Sequence, residues 1–290
     1  MTLILPNTSS VVVSGLRQLL GQAKVRNDVP TLTAYAVDAS IYRMQPQAVV
    51  LAEHEGDIDT VVRFAVERGI PLTPRAAGTN LTGSAIGSGI ILDISKMNRI
   101  LEVNEEERWA RVQPGIVLAE LNKQLGRRNL LFGPDPSSGD MCKLGGMLAN
   151  NSAGPHTLIY GAVKDNVQAM RVCLPSGSWL SASSMNLNDP GLDQTLVAHP
   201  SLKPILDLVQ RQHSLIDSKK PTVSKNSCGY NLFGLADGLS RGVFDLPKLF
   251  VGSEGTLGVV SEATLRLVPK PQGTLTALIH FRRLEEVGEA

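Results

Sequence analysis

Aromatic residues make up only 4% of this 290-residue chain, too few for the stacking platforms that hold single-stranded nucleic acid. Nor is there an excess of either charge. Against 27 Asp and Glu stand 28 Lys and Arg, a formal charge of +1, so nothing draws the chain toward nucleic acid or an anionic membrane. Cysteine is scarce: Cys142, Cys173 and Cys228 are odd in number and far apart. That excludes a disulfide framework and fits no iron–sulfur or zinc spacing, so each is expected to be a small buried hydrophobe. The five histidines (His54, His156, His199, His213, His280) form no ligand-spaced pair, and no metal is expected. No apolar run approaches the ~20 residues that span a bilayer, and the first residues lack the basic stretch and apolar core of a secretory signal. The expected compartment is the cytoplasm, and a peripheral position at the inner membrane face is compatible with it. What is present, 42% hydrophobic and 19% charged residues, describes a globular chain with a large core and one or two domains.

Residues 9–20 predict a short helix stopped by Gly21. A polar lead-in over 22–45 reaches a strand at 46–51. Ile58, Val61, Val62, Ala65 and Val66 then recur at helical spacing, ended by Gly69 and Pro71. A returning strand at 70–73 makes this a βαβ unit with parallel strands. Further strands are predicted near 90–94, 99–103, 108–113, 130–132, 170–174, 249–251 and 259–267, with helices at 117–125 and 202–209. Residues 181–200 read as an irregular polar excursion and 219–231 as a loop. Leu275 to Phe281 reads as a new strand and 284–290 as the first turns of a helix. A βα beginning without partner strands predicts a domain cut at its boundary.

The most informative stretch is Pro74-Arg75-Ala76-Ala77-Gly78-Thr79-Asn80-Leu81-Thr82-Gly83. Consecutive small residues let backbone N–H groups approach an anion closely, as phosphate requires. A dinucleotide-fold glycine turn or a P-loop would open straight into a helix. Here the chain passes Gly87 and Gly89 into Ile90-Ile91-Leu92, a strand, and the residue after Gly83 is Ser84 where a P-loop has Lys. Three more small-residue clusters follow: Pro134 to Ser138, Gly145 to Gly154, and Gly252 to Gly258. Any one alone fits a tight turn. Together they fit a long ligand threaded between two subdomains, such as a dinucleotide.

These residues resemble the flavin-binding domain of the vanillyl-alcohol-oxidase-type (PCMH-type) FAD-linked oxidases and dehydrogenases, in the D-lactate, glycolate and D-2-hydroxyglutarate dehydrogenase branch. The motifs that carry the resemblance are the four clusters, Gly115 with Leu118 and Leu121, and Tyr160-Gly161 with Asp165-Asn166. Asp38-Ala39-Ser40-Ile41-Tyr42 is similar to the opening segment of members fused to an iron–sulfur module.

The resemblance implies an α+β fold of two subdomains: a small parallel βαβ unit, about 38–103, and a larger mixed or antiparallel sheet with helices, about 104–270. Residues 1–37 would be a helical extension and 271–290 the start of a substrate domain. It implies non-covalent FAD, with no His placed for covalent attachment. Arg75, Ala76, Ala77, Gly78, Thr79, Asn80 and Gly83 would hold the pyrophosphate. Pro134, Asp135, Ser137, Ser138, Gly145, Gly146, Asn151, Ser152, Gly154 and Gly161 would line the flavin and its linker. Glu254, Gly255, Val259 and Val260 would wrap the adenosine side. The family usually has glycine where this chain has Ala76 and Ala77; at positive φ each methyl would cost about 1–2 kcal/mol.

The expected function is oxidation of a small 2-hydroxy acid by hydride transfer to FAD, with electrons passed to a quinone, a flavoprotein or an iron–sulfur partner. The alternatives are a non-catalytic flavin-binding subunit or remnant that needs a separate substrate or iron–sulfur chain, and an NADPH-dependent cell-wall precursor reductase. The catalytic residues themselves are expected outside this chain. Individual side chains keep two readings each. Arg75 either offsets phosphate charge or caps a strand. Glu254 holds a ribose hydroxyl or fixes a turn. Lys225-Asn226 approaches substrate or solvent, and His156 faces the flavin or the surface.

Overall fold

The computed structural model describes residues 8–223 and 225–289; Ala290, at the end of the helix expected over 284–290, and residues 1–7 of the N-terminal extension lie outside them. The first lobe runs α1 (Thr8–Leu20), β1 (Val25–Arg26), α2 (Val29–Tyr35), β2 (Ala48–Leu51), α3 (Glu55–Arg68), β3 (Leu72–Arg75) and β4 (Ile90–Asp93). Its sheet has the order β1-β2-β4-β3, with β4 parallel to both β2 and β3. The βαβ strands are therefore parallel as expected, and the next strand inserts between them. The polar lead-in is not featureless. Asp28 accepts the Thr31 N–H at 3.0 Å with Pro30 in the first turn, an N-cap signature that starts α2.

Helix α3 buries Ile58, Val61, Val62 and Ala65 and ends at Gly69, whose φ of 62° only glycine adopts cheaply. Val12, Val13 and Leu16 of α1 complete the same core. At the mouth of α3, Asp57 is 3% exposed. It accepts Lys24 Nζ at 2.7 Å and the Glu53 N–H at 2.9 Å. Burial alone would raise its pKa, but the bonds from Lys24 and Glu53 outweigh that and hold the carboxyl below its ordinary 3.8. A folded-state pKa below the unfolded one gives stability that is full above about pH 3.8 and lost as pH falls through the depressed value. Asp57→Asn should therefore lower the melting temperature near neutrality and shrink its fall under acid, measured by thermal melts across that window.

The second lobe adds β5 (Ile100–Asn104), β6 (Trp109–Val112), α4 (Leu118–Gly126), β7 (Leu130–Leu131), α5 (Leu144–Ala149), α6 (Thr157–Tyr160), β8 (Val167–Cys173), β9 (Trp179–Asn186), α7 (Pro190–Ala198), α8 (Leu202–Arg211), α9 (His213–Ser218), α10 (Leu232–Ser240), β10 (Val243–Asp245), α11 (Leu246–Phe250), β11 (Val259–Arg266), β12 (Val268–Pro269) and α12 (Glu285–Glu289). Six strands form an antiparallel sheet in the order β10-β9-β8-β11-β6-β5. Helices cover one face of it around Phe132, Phe244, Leu121 and Leu144.

Three expectations are corrected. The excursion at 181–200 is β9 followed by α7. Leu180 and Ala182 alternate inward against Ser181 and Ser183, and Asp189 accepts the Gly191 N–H at 2.8 Å to cap a helix begun by Pro190. Residues 249–251, expected as a strand, fall in and just after α11, because Pro247 at its start can give no ladder N–H. Residues 275–281 form no strand. Leu275 and Leu278 are 95% and 81% exposed, with no described strand to pair with.

The lobes interlock. Glu55 Oε1 on α3 accepts Arg171 Nε at 2.8 Å and the fully buried Ser261 hydroxyl at 2.7 Å, both from the second sheet. Arg63 donates to the Gly177 carbonyl at 2.9 Å. Cys173 and Val259, on the second sheet, are buried in the core of the first lobe. Burial pushes the Cys173 thiol up to about 11 and raises that of Cys142, which makes both poor nucleophiles. Cys228, expected to be buried, is exposed on a loop.

Candidate cofactor cleft

A cleft lies between the lobes, with about 760 Å³ of atom-free space counted together with the open solvent at its mouth. The first lobe supplies Pro74 to Asn80, Ser84, Ala85 and Ile94, and the second supplies Gly145, Gly146, Leu148 to Asn150, Phe250, Ser253 to Gly255, Gly258 and Val260. Its floor is the carboxyl end of β3 and β4, where open parallel sheets place their ligands. The loop after β3 runs through residue 89 directly into β4, the strand-to-strand passage that the sequence predicts.

Within that loop, the N–H groups of Ala77, Gly78 and Thr79 donate to no acceptor among the described residues. These residues line the cleft, and consecutive unpartnered amides of this kind form a nest whose chemistry suits an anion. Gly78 has φ 72° and Gly83 φ 82°, whereas Ala76 and Ala77 keep negative φ. Their methyls therefore carry no left-handed strain, and the exchange of glycine for alanine costs the nest nothing in backbone energy.

Arg75 stands on the cleft wall, with Nη2 2.6 Å from the position a Cβ on Gly78 would take. Its Nη1 is directed at the carbonyls of Val37 (2.8 Å), Ala85 (3.2 Å) and Tyr35 (3.3 Å), and the guanidinium lies 5.0 Å from the Tyr35 ring centroid. Nη1 thereby ties the segment around Tyr35 and Val37 to the loop.

Across the cleft, Gly146 faces open space, with nothing within 4 Å of the position a Cβ would take. Glu254 holds the turn through its N–H to the Ala149 carbonyl at 3.0 Å and has φ 52°, a conformation that costs a non-glycine residue about 1–2 kcal/mol. Its carboxylate has no hydrogen-bond or ion-pair partner among the described residues and is the only acidic group on the cleft wall. Gly255, at φ 78°, lets the Pro74 ring approach, 3.2 Å from its would-be Cβ.

Of the residues expected at the site, Arg75 to Asn80, Gly145, Gly146, Glu254, Gly255 and Val260 line this cleft. Gly83, Pro134, Asp135, Ser137, Ser138, Asn151, Ser152, Gly154, Gly161 and Val259 do not. Val259 is core. Asn151 is buried, and its side chain accepts the Lys164 N–H at 2.9 Å. Asp135, Gly154 and Gly161 belong to a separate cluster. There Asp135 takes both the ring and the backbone N–H of His156, and Gly154 packs on the Asp135 carbonyl. His156 thus lies at the surface, paired with Asp135. Lys225 makes no hydrogen bond or ion pair among the described residues, whereas the Asn226 carbonyl accepts Lys164 Nζ at 3.0 Å. Sequence reasoning missed Ser84, Ala85, Ile94 and Phe250. The first two were signalled by the continuing run of small residues.

Residues 46–183 match the family described as FAD binding domain. That stretch, just under half of the chain, is similar to that domain. The chain is 34% identical over 280 residues to D-2-hydroxyglutarate dehydrogenase of Pseudomonas putida, covering 93% of this chain and 27% of that protein. It is 30% identical to the glycolate oxidase subunit GlcD of Bacillus subtilis, covering 88% and 44%. The chain therefore spans about a quarter of the one relative and under half of the other. Its fold is shared with a solved alkyldihydroxyacetonephosphate synthase at TM-score 0.65 and 20% identity, over 94% of this chain and 43% of that one. Among the described residues no helix is long and apolar enough to cross a membrane, and no group of three or more His, Cys, Asp or Glu is placed to hold a metal.

Proposed function

We propose that this chain is the FAD-holding portion of a flavin-dependent dehydrogenase that oxidises a small 2-hydroxy acid of the D-lactate, glycolate or D-2-hydroxyglutarate class. The observation that carries the cofactor assignment is the run of unpartnered amides at Ala77, Gly78 and Thr79 on the cleft wall. These suit a pyrophosphate, whose charge would meet no acidic side chain at that wall. The unpaired Glu254 carboxylate, on the opposite wall, suits the hydroxyl donors of a ribose. The open face of Gly146 lets the linker lie against α5. The cleft wall has neither His nor Cys, which supports non-covalent FAD.

Bound FAD would supply the hydride-accepting chemistry, while the residues of this chain bind and orient it and exclude water from the pyrophosphate. Glu254 is the only acid or base among the cleft residues other than Arg75, so the group that takes the hydroxyl proton lies elsewhere. The electron acceptor, a quinone, a flavoprotein or an iron–sulfur partner, and a cytoplasmic location are part of the same proposal. The substrate class is supported by the named relatives.

The test is titration of the purified chain with FAD, followed by flavin fluorescence quenching and absorbance. Saturation at one FAD per chain is expected, with no anaerobic bleaching by D-lactate, glycolate or D-2-hydroxyglutarate from this chain alone. Absence of saturable binding would defeat the proposal.

A further inference from the structure

The nest is shaped by a residue 42 positions upstream that never touches the cleft. Asp38 Oδ1 accepts the Ser40 N–H at 2.9 Å, and its Oδ2 accepts Asn80 Nδ2 at 2.9 Å and the Ala85 N–H at 3.4 Å. Asn80 in turn uses Oδ1 to accept the N–H groups of Thr82 at 3.1 Å and Ser84 at 3.0 Å. The Ala39 N–H reaches the Gly78 carbonyl at 3.0 Å, which fixes the orientation of that peptide. Every polar atom of the Asn80 side chain on which the loop depends is thus committed inside the protein.

The geometry points to Asp38 as the positioning residue of the phosphate nest, acting through Asn80, whose side chain orders the loop. This rests on the FAD reading of the cleft and assigns the means by which its anion site is preorganised. The chemistry needs a carboxylate at 38. Two acceptor oxygens face three N–H donors, and an amide there would set an NH₂ against one of them whichever way it turned. Burial works against the charge, but the bonds from Ser40, Asn80 and Ala85 prevail and hold the Asp38 pKa below its ordinary 3.8. The ionised form is therefore the one present at neutral pH.

The experiment compares wild type, Asp38→Asn and the exchanged pair Asp38→Asn/Asn80→Asp. The pair restores the 38–80 hydrogen bond with donor and acceptor reversed and leaves the Thr82 and Ser84 N–H groups an acceptor. Amide hydrogen exchange of the ligand-free chains reports loop order. Titrations with FAD, ADP and riboflavin report binding by parts. Asp38→Asn should speed exchange across residues 78–85 and weaken FAD and ADP by roughly ten- to a hundredfold, with riboflavin binding unchanged. The exchanged pair should recover slow exchange at Thr82 and Ser84, whose N–H groups keep an acceptor. Unchanged exchange in Asp38→Asn overturns the assignment, as does faster exchange with FAD affinity intact, or an equal loss for riboflavin, which marks a merely structural residue. Failure of the wild type to bind either FAD or ADP would instead defeat the cofactor reading, and the exchange data would still judge the loop.

Discussion

Gly146→Leu should abolish FAD binding while leaving the fold intact. The glycine sits in α5 with nothing within 4 Å of its would-be Cβ, and it faces the cleft. A leucine there meets no protein atom in the ligand-free chain, and exchanging glycine for leucine inside a helix gains up to about 1 kcal/mol of propensity. The melting temperature of the ligand-free protein should hold or rise. The same side chain fills the space between the nest and the turn at Glu254, so FAD affinity should fall by at least roughly a hundredfold, about 3 kcal/mol. Melting curves together with fluorescence titration check both halves. A variant that binds FAD normally would show that the ligand does not run past α5.

Gly154→Ala should do the reverse. This glycine belongs to the same small-residue cluster, yet its would-be Cβ lies 2.0 Å from the Asp135 carbonyl oxygen and 2.4 Å from Oδ1 of the same residue. The obstacle is backbone, fixed in place by the loop that also receives His156, so relief requires the chain to part. The expected destabilisation is about 3 kcal/mol, a fall in melting temperature of roughly 6–12 °C. The molecules that remain folded should bind FAD with near-normal affinity, since Gly154 does not line the cleft. Thermal melts and a titration well below the transition separate the two effects.

This contrast shows what was legible in the sequence. The parallel unit was, because Ile58, Val61, Val62 and Ala65 sit on one helical stripe and Gly69 marks its end. The nest was too, because a strand-to-strand run of small residues has few other uses. A glycine announces that something comes close without saying what, and the protein atoms nearest the would-be Cβ of Gly154 and Gly161 belong to Asp135 and Asp165. Ile94 and Phe250 were invisible, since each is an ordinary hydrophobe whose place on the cleft wall is set by pairings across the whole chain. The run 249–251 misled because a short apolar segment fits a strand or a buried helix equally, and only Pro247 decided between them. Asp38 was quoted as part of an opening segment, but no local pattern joins it to Asn80.

The interlock at Glu55, Cys173 and Val259 has a consequence for how the cleft can be filled. Parting the lobes like a hinge would strand the Glu55 carboxylate from Arg171 and Ser261 and open the first hydrophobic core to water. That makes jaw-like opening a step toward global unfolding rather than a working motion. A dinucleotide would then have to enter a slot of nearly fixed width, threaded lengthwise.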